Sequence, residues 1–157
     1  MKMNLHDQLK YEEGLRLKKY RCTAGRWTIG YGHNLDANPL APDGSRIPDT
    51  ISAEFAEELL MRDIATTRAA LRMAWPRIDE FDPARRDAFI NMAFQLGVSG
   101  LMQFEAMRAA AIARDWETAA RQAIKSRWAK QTPERARRVA EQIRSGKYYS
   151  VTANNLS

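Results

Sequence analysis

Residues 11–35 read YEEGLRLKKYRCTAGRWTIGYGHNL, a segment holding two adjacent carboxylates, the only cysteine, a glycine turn, three alternating bulky residues and a histidine. Just upstream, Leu5 and Leu9 recur at i and i+4 behind Asn4, a favourable N-cap, and Glu13 continues the series before Gly14, a natural helix stop. The spacing predicts a helix that ends at Glu13 with its carboxylate near the apolar side. Burying a carboxylate costs free energy unless it is paired or protonated. An inward acid beside the like charge of Glu12 is therefore the arrangement of a general acid, the simpler reading being a solvated helix-end carboxylate.

After Gly14, Arg16 to Cys22 reads as a strand and Ala24-Gly25 as a turn, and Trp27, Ile29 and Tyr31 alternate with Thr28, Gly30 and Gly32 as a second strand. In this hairpin Cys22 and Thr28 converge if the loop has an odd number of residues centred on Gly25, whereas a two-residue Ala24-Gly25 loop separates them. A lone cysteine is most often a small buried hydrophobe, but Cys22 lies beside a turn with Arg21 and Arg26 on either side, a setting that favours the thiolate. Thr28 taken alone is an ordinary strand residue. Gly30 and Gly32 leave one face of the second strand bare for a ligand or another backbone. The spacing GYGHNL lacks both the GxGxxG fingerprint and a P-loop lysine, which argues against a phosphate loop. His33 is expected to pair with a core carboxylate, Asp63, rather than act as a catalytic base.

Beyond the hairpin, residues 34–48 are rich in Pro, Asp, Asn and Gly and read as loop with one short strand at most. Ser52 caps a long helix through Phe55, Leu59, Ile64 and Leu71 that stops at Trp75-Pro76, and Asp82-Pro83 starts another that ends at Gly97. Ser99 is expected to open a helix through Phe104 and Met107, Asp115 the next, and Thr132-Pro133-Glu134 the last, which ends near Gly146. The polar tail VTANNLS is expected to be loosely held. The order suggests one α+β domain over 1–157: a small N-terminal lobe of about 1–50 with a β-hairpin sheet, a connecting helix of about 52–74, and a larger all-helical lobe of about 75–157.

Composition fits a soluble globular chain of one domain, with 157 residues, 45% hydrophobic and 28% charged. Lys and Arg number 25 against 19 Asp and Glu, and the pI near 9.7 favours polyanionic partners: nucleic acid, an anionic membrane surface or bacterial wall polymer. No apolar run is long enough to span a bilayer and the N-terminus carries no secretory signal, so the chain is expected to begin in a cytoplasm. One cysteine and two histidines give neither an internal disulfide nor a standard zinc set, so no metal or cofactor is expected.

The spacing of Glu13, Cys22 and Thr28 followed by TIGYGH resembles the catalytic segment of the phage lysozymes of glycoside hydrolase family 24. EEGLRLKKY, INMAFQLG and KSRWAKQTPERARRV are similar to further family segments in the same order. The resemblance implies a lysozyme-like fold with a cleft between the lobes. It also implies an endolysin (muramidase) that cleaves the β-1,4 bond from N-acetylmuramic acid to N-acetylglucosamine in bacterial peptidoglycan for host cell lysis. Glu13 is then the general acid, Cys22 and Thr28 hold the attacking water, Phe94 and Gln95 line the sugar site, and Arg135 lies near the acid, with Gly30 and His33 in support. The family's best-known member has aspartate where this chain has Cys22, and leucine and serine where it has Asn34 and Met107.

Such an enzyme would be a monomer that accumulates in the host cytoplasm and reaches the wall after a separate protein permeabilises the membrane. Arg135, Arg137, Arg138 and Arg144 would favour an anionic envelope surface. The rival readings are a lytic transglycosylase acting on the same bond and a non-catalytic basic protein binding wall or nucleic acid; a nucleic-acid partner is not expected.

Overall fold

The computed structural model describes residues 3–151, so all of the polar tail except Val151 lies outside the described residues. The described chain is α+β and lysozyme-like, a small antiparallel sheet near the N-terminus followed by helices. It divides into two compact units, one of residues 6–66 and one of residues 67–151 with 3–5.

In the first unit, α1 (Leu5–Glu13) buries Leu9 completely and ends where Gly14 takes φ +69° and its N–H donates to the Lys10 carbonyl. Strands β1 (Arg16–Arg21), β2 (Trp27–Gly30) and β3 (His33–Asn34) form one sheet in that order. The third strand goes beyond the expected hairpin. Gly30 and Gly32, at φ +66° and +72°, turn the chain after Ile29 so that His33 returns opposite it. The strand thus ends at Gly30, and Tyr31 and Gly32 make a turn instead of continuing it. With two residues, β3 is too short to show alternation in the sequence.

Helix α2 (Ala53–Ala74) starts at Ser52, whose hydroxyl accepts from the Phe55 N–H at 3.0 Å. Lys10 of α1 pairs with Glu57 of α2, and Gly30 lies so close to α2 that a Cβ there would stand 3.4 Å from Cβ of Ala56.

In the second unit a 3-10 helix (Pro76–Glu80) precedes α3 (Pro83–Leu96), which Asp82 caps by accepting from the Arg85 N–H. The helix expected from Ser99 through Met107 is instead two, α4 (Val98–Met102) and α5 (Glu105–Ile112), broken at Gln103-Phe104. Then come α6 (Trp116–Ile124), capped by Asp115, a short α7 (Arg127–Gln131) that the periodicity does not reveal, and α8 (Pro133–Ser145). Thr132 does not cap α8 with its side chain; its hydroxyl donates to the Trp128 carbonyl.

Trp75, Phe81, Phe89 and Trp116 make an aromatic cluster with neighbouring centroids 5.2–5.7 Å apart, three contacts edge-on and Phe81–Phe89 tilted. Arg85 closes the end of α8: it donates to the carbonyls of Ile143 and Arg144 and stacks 4.4 Å over Trp116. Beyond Gly146, Tyr148 donates to Asp87 and the Tyr149 N–H to Gln142.

Candidate active site

The hairpin turn sets the geometry of the site. Arg21 pairs with Trp27 and Tyr20 with Thr28, while the Cys22 N–H donates to the Arg26 carbonyl at 2.9 Å and the Gly25 N–H to the Cys22 carbonyl at 2.8 Å. The loop is therefore Thr23-Ala24-Gly25, three residues long, with Gly25 at φ +79°. It is odd, as convergence requires, but centred on Ala24 rather than Gly25. Thr28 consequently lies directly opposite Tyr20 and diagonally from Cys22, and all three side chains occupy one face.

On that face Thr28 is buried and Cys22 half-buried. Thr28 Oγ1 lies within hydrogen-bond reach of the Arg26 carbonyl, at 3.0 Å, and of the Cys22 thiol, so its single proton serves the carbonyl or a thiolate. The Cys22 thiol is held below the ordinary thiol value by the main-chain N–H groups of Arg26 and then Ala24. The Thr28 hydroxyl and the Arg26 charge act in the same direction, against the upward push of burial. The other arginine expected to act on the thiol does not face it: Arg21 donates to the Gly25 carbonyl and stacks 4.5 Å over Trp27 on the opposite face, where Lys19 stacks at 4.7 Å.

Glu13, half-buried at the end of α1, is seated against Gly32: a Cβ on Gly32 would come 2.8 Å from Glu13 Oε2. The close approach expected at the bare glycine face is thus made in part by the candidate acid itself. Tyr20 completes the group and is the residue that sequence reasoning missed. Its phenol is pushed up by burial, the Arg16 guanidinium 4.3 Å over its ring opposes that, and the charges of Glu13 and Cys22 add to the rise. Tyr20 therefore stands in the field of both. The readable signal was its position two residues before Cys22 on a strand.

His33 stands behind the sheet, buried, with Nδ1 2.7 Å from Asp63 Oδ2 on α2 and Nε2 2.8 Å from the Asn38 carbonyl. Each ring nitrogen thus has an oxygen within hydrogen-bond distance. This ties β3 and the following loop to α2.

The remaining candidate residues lie in the second unit. Phe94 is half-buried and Gln95 exposed near the end of α3, where Gln95 Oε1 accepts from the Trp128 indole at 2.7 Å. Arg135 is buried on α8 and donates from Nε to Asn91 Oδ1 at 3.1 Å and from Nη2 to the Asn91 carbonyl at 3.3 Å. Met107, which stands where the family's best-known member has serine, is fully buried in this chain.

The family model described as phage lysozyme matches residues 10–144, a span that takes in all of these positions. The chain belongs to the phage lysozyme family. Among its relatives, the pre-baseplate central spike protein Gp5 of Enterobacteria phage T4 is 34% identical over 92% of this chain, which spans only 28% of that protein's length. The protein named "Probable T4-type lysozyme 1" of Dictyostelium discoideum is 29% identical over 93% of this chain and 96% of its own. An endolysin of Acyrthosiphon pisum secondary endosymbiont phage 1 is 39% identical over 58% of this chain and 56% of its own. The phage lysozymes are glycoside hydrolases, the reaction class that the resemblance implied.

Proposed function

We propose that this phage lysozyme is an endolysin that hydrolyses the β-1,4 bond between N-acetylmuramic acid and N-acetylglucosamine, with inversion. Glu13 protonates the leaving glycosidic oxygen, and Cys22, as thiolate, and Thr28 orient and activate the attacking water. The observation that carries this reading is the single hairpin face on which Cys22 and Thr28 meet, with Tyr20 opposite Thr28 and Glu13 seated at Gly32. A thiolate supplies the acceptor and the negative charge that a neutral thiol lacks.

The proposal extends to Phe94 and Gln95 as saccharide contacts and to Arg135 as a supporting charge. The endolysin is a monomer that acts on the wall of a host whose membrane a separate protein has opened. No helix among the described residues is long and apolar enough to cross a membrane. Its net charge of +6 favours adsorption to an anionic envelope.

Mass spectrometry of the fragments released from purified peptidoglycan tests the reaction. Reducing muramic acid ends from the native chain, absent with Glu13→Gln, are expected. Ends of the 1,6-anhydro type would make it a transglycosylase, and no fragments would make it a binding protein.

A further inference from the structure

The nucleophile side of the site has a third polar group. Cross-strand partners directly opposite one another carry their Cβ atoms about 4.5–5.5 Å apart, and residues at i and i+2 on a strand share a face. Tyr20 holds both relations at once: it is the partner of Thr28 and lies two residues before Cys22. The Arg16 guanidinium stacks 4.3 Å over its ring, an attraction that favours one placement of that ring. A tyrosine side chain is longer than cysteine or threonine, so from this position its hydroxyl has the reach to meet a water held by the two short side chains.

We propose that Tyr20 is a positioning residue for the attacking water, its hydroxyl supplying the polar contact that, with Cys22 and Thr28, aims the water's lone pair at the sugar carbon. This rests on the hydrolytic reading above and adds a residue to it. The chemistry is consistent: a thiolate and the threonine oxygen accept the water's two protons, and a phenol that keeps its proton donates to one lone pair, leaving the other for attack. Arg16 acts through Tyr20 by holding the ring, without touching the reacting atoms.

The experiment compares the native chain, Glu13→Gln, Tyr20→Phe and Tyr20→Leu on purified peptidoglycan, measuring kcat and KM separately, with the rate of Cys22 alkylation by iodoacetamide and the unfolding midpoint. Tyr20→Phe keeps the ring and its Arg16 contact and removes only the hydroxyl. Its kcat should fall about tenfold, the effect of losing one oriented hydrogen bond in the transition state. KM, alkylation rate and unfolding midpoint should stay at the native values. A kcat for Tyr20→Phe within twofold of native overturns the proposal, and if Tyr20→Leu alone is then impaired, Tyr20 is a platform for Arg16. Native release of fragments with an inactive Glu13→Gln upholds the parent reading whichever way Tyr20→Phe falls; a native chain that releases none overturns both.

Discussion

The Cβ that Gly32 lacks would stand 2.8 Å from Oε2 of Glu13 and 3.2 Å from its carboxyl carbon, on backbone at φ +72°. A glycine at this point keeps the candidate acid where it is. Gly25, at φ +79° with nothing within 4 Å of a would-be Cβ, has the same backbone demand without the neighbour.

These two glycines separate strain from displacement. Each alanine replacement should cost about 1–2 kcal/mol, the penalty for a side chain in the left-handed region. Gly32→Ala should in addition lower kcat about tenfold or more, because it pushes the carboxylate out of position. Urea unfolding and initial rates of peptidoglycan solubilisation measure both, and equal rates for the two variants would assign the whole effect to strain.

Main-chain donors and the Thr28 hydroxyl favour the ionised form of Cys22. Alkylation of the folded chain should therefore have its pH midpoint below that of the urea-unfolded chain. Thr28→Val removes a donor to the thiolate and so moves the midpoint up, which slows alkylation at every pH below it. A midpoint unmoved by Thr28→Val would mean that the hydroxyl serves only the Arg26 carbonyl.

Complete alkylation of Cys22 should abolish activity, since it removes the anion and fills its space. Cys22→Asp restores a negative acceptor and should keep substantial activity, whereas Cys22→Ala should lose about a hundredfold or more. Equal rates for these two variants would remove the charge at this position from the mechanism.

His33 joins Asp63 and the Asn38 carbonyl with both ring nitrogens. His33→Ala leaves the partly exposed Asp63 without its imidazole, and Asp63→Ala leaves Nδ1 of the buried His33 unmet; each should cost about 1–3 kcal/mol. The double variant should cost less than the sum of the two, and strict additivity in urea unfolding would show that the pair is not coupled.

The long elements of this fold were readable because their signals are local. Ser52, Asp82 and Asp115 announce helix starts by their own hydrogen bonds, and Gly97 and Gly146 follow the last residues of α3 and α8. Short pieces such as α7 and β3 carry too few residues for periodicity: α7 has only its Ser126 cap to announce it, and β3 is held by His33 on Asp63. The site shows the same division. Glu13 at a helix end and Cys22 beside a turn are legible from spacing, but the centring of the loop on Ala24 decides which residue faces which. That choice moved Thr28 from direct to diagonal and brought Tyr20 into the group. Arg21 misled because a charge next in sequence on a strand points to the other face.

Arg85 occupies the final carbonyls of α8 from inside the unit, and Asp87 and Gln142 hold the two tyrosines beyond Gly146. The last helix thus carries its own stopper within the described residues. A fusion partner spliced on after Val151 should leave the melting behaviour of the helical unit as it was, which makes this unit ready to carry further polypeptide at its end.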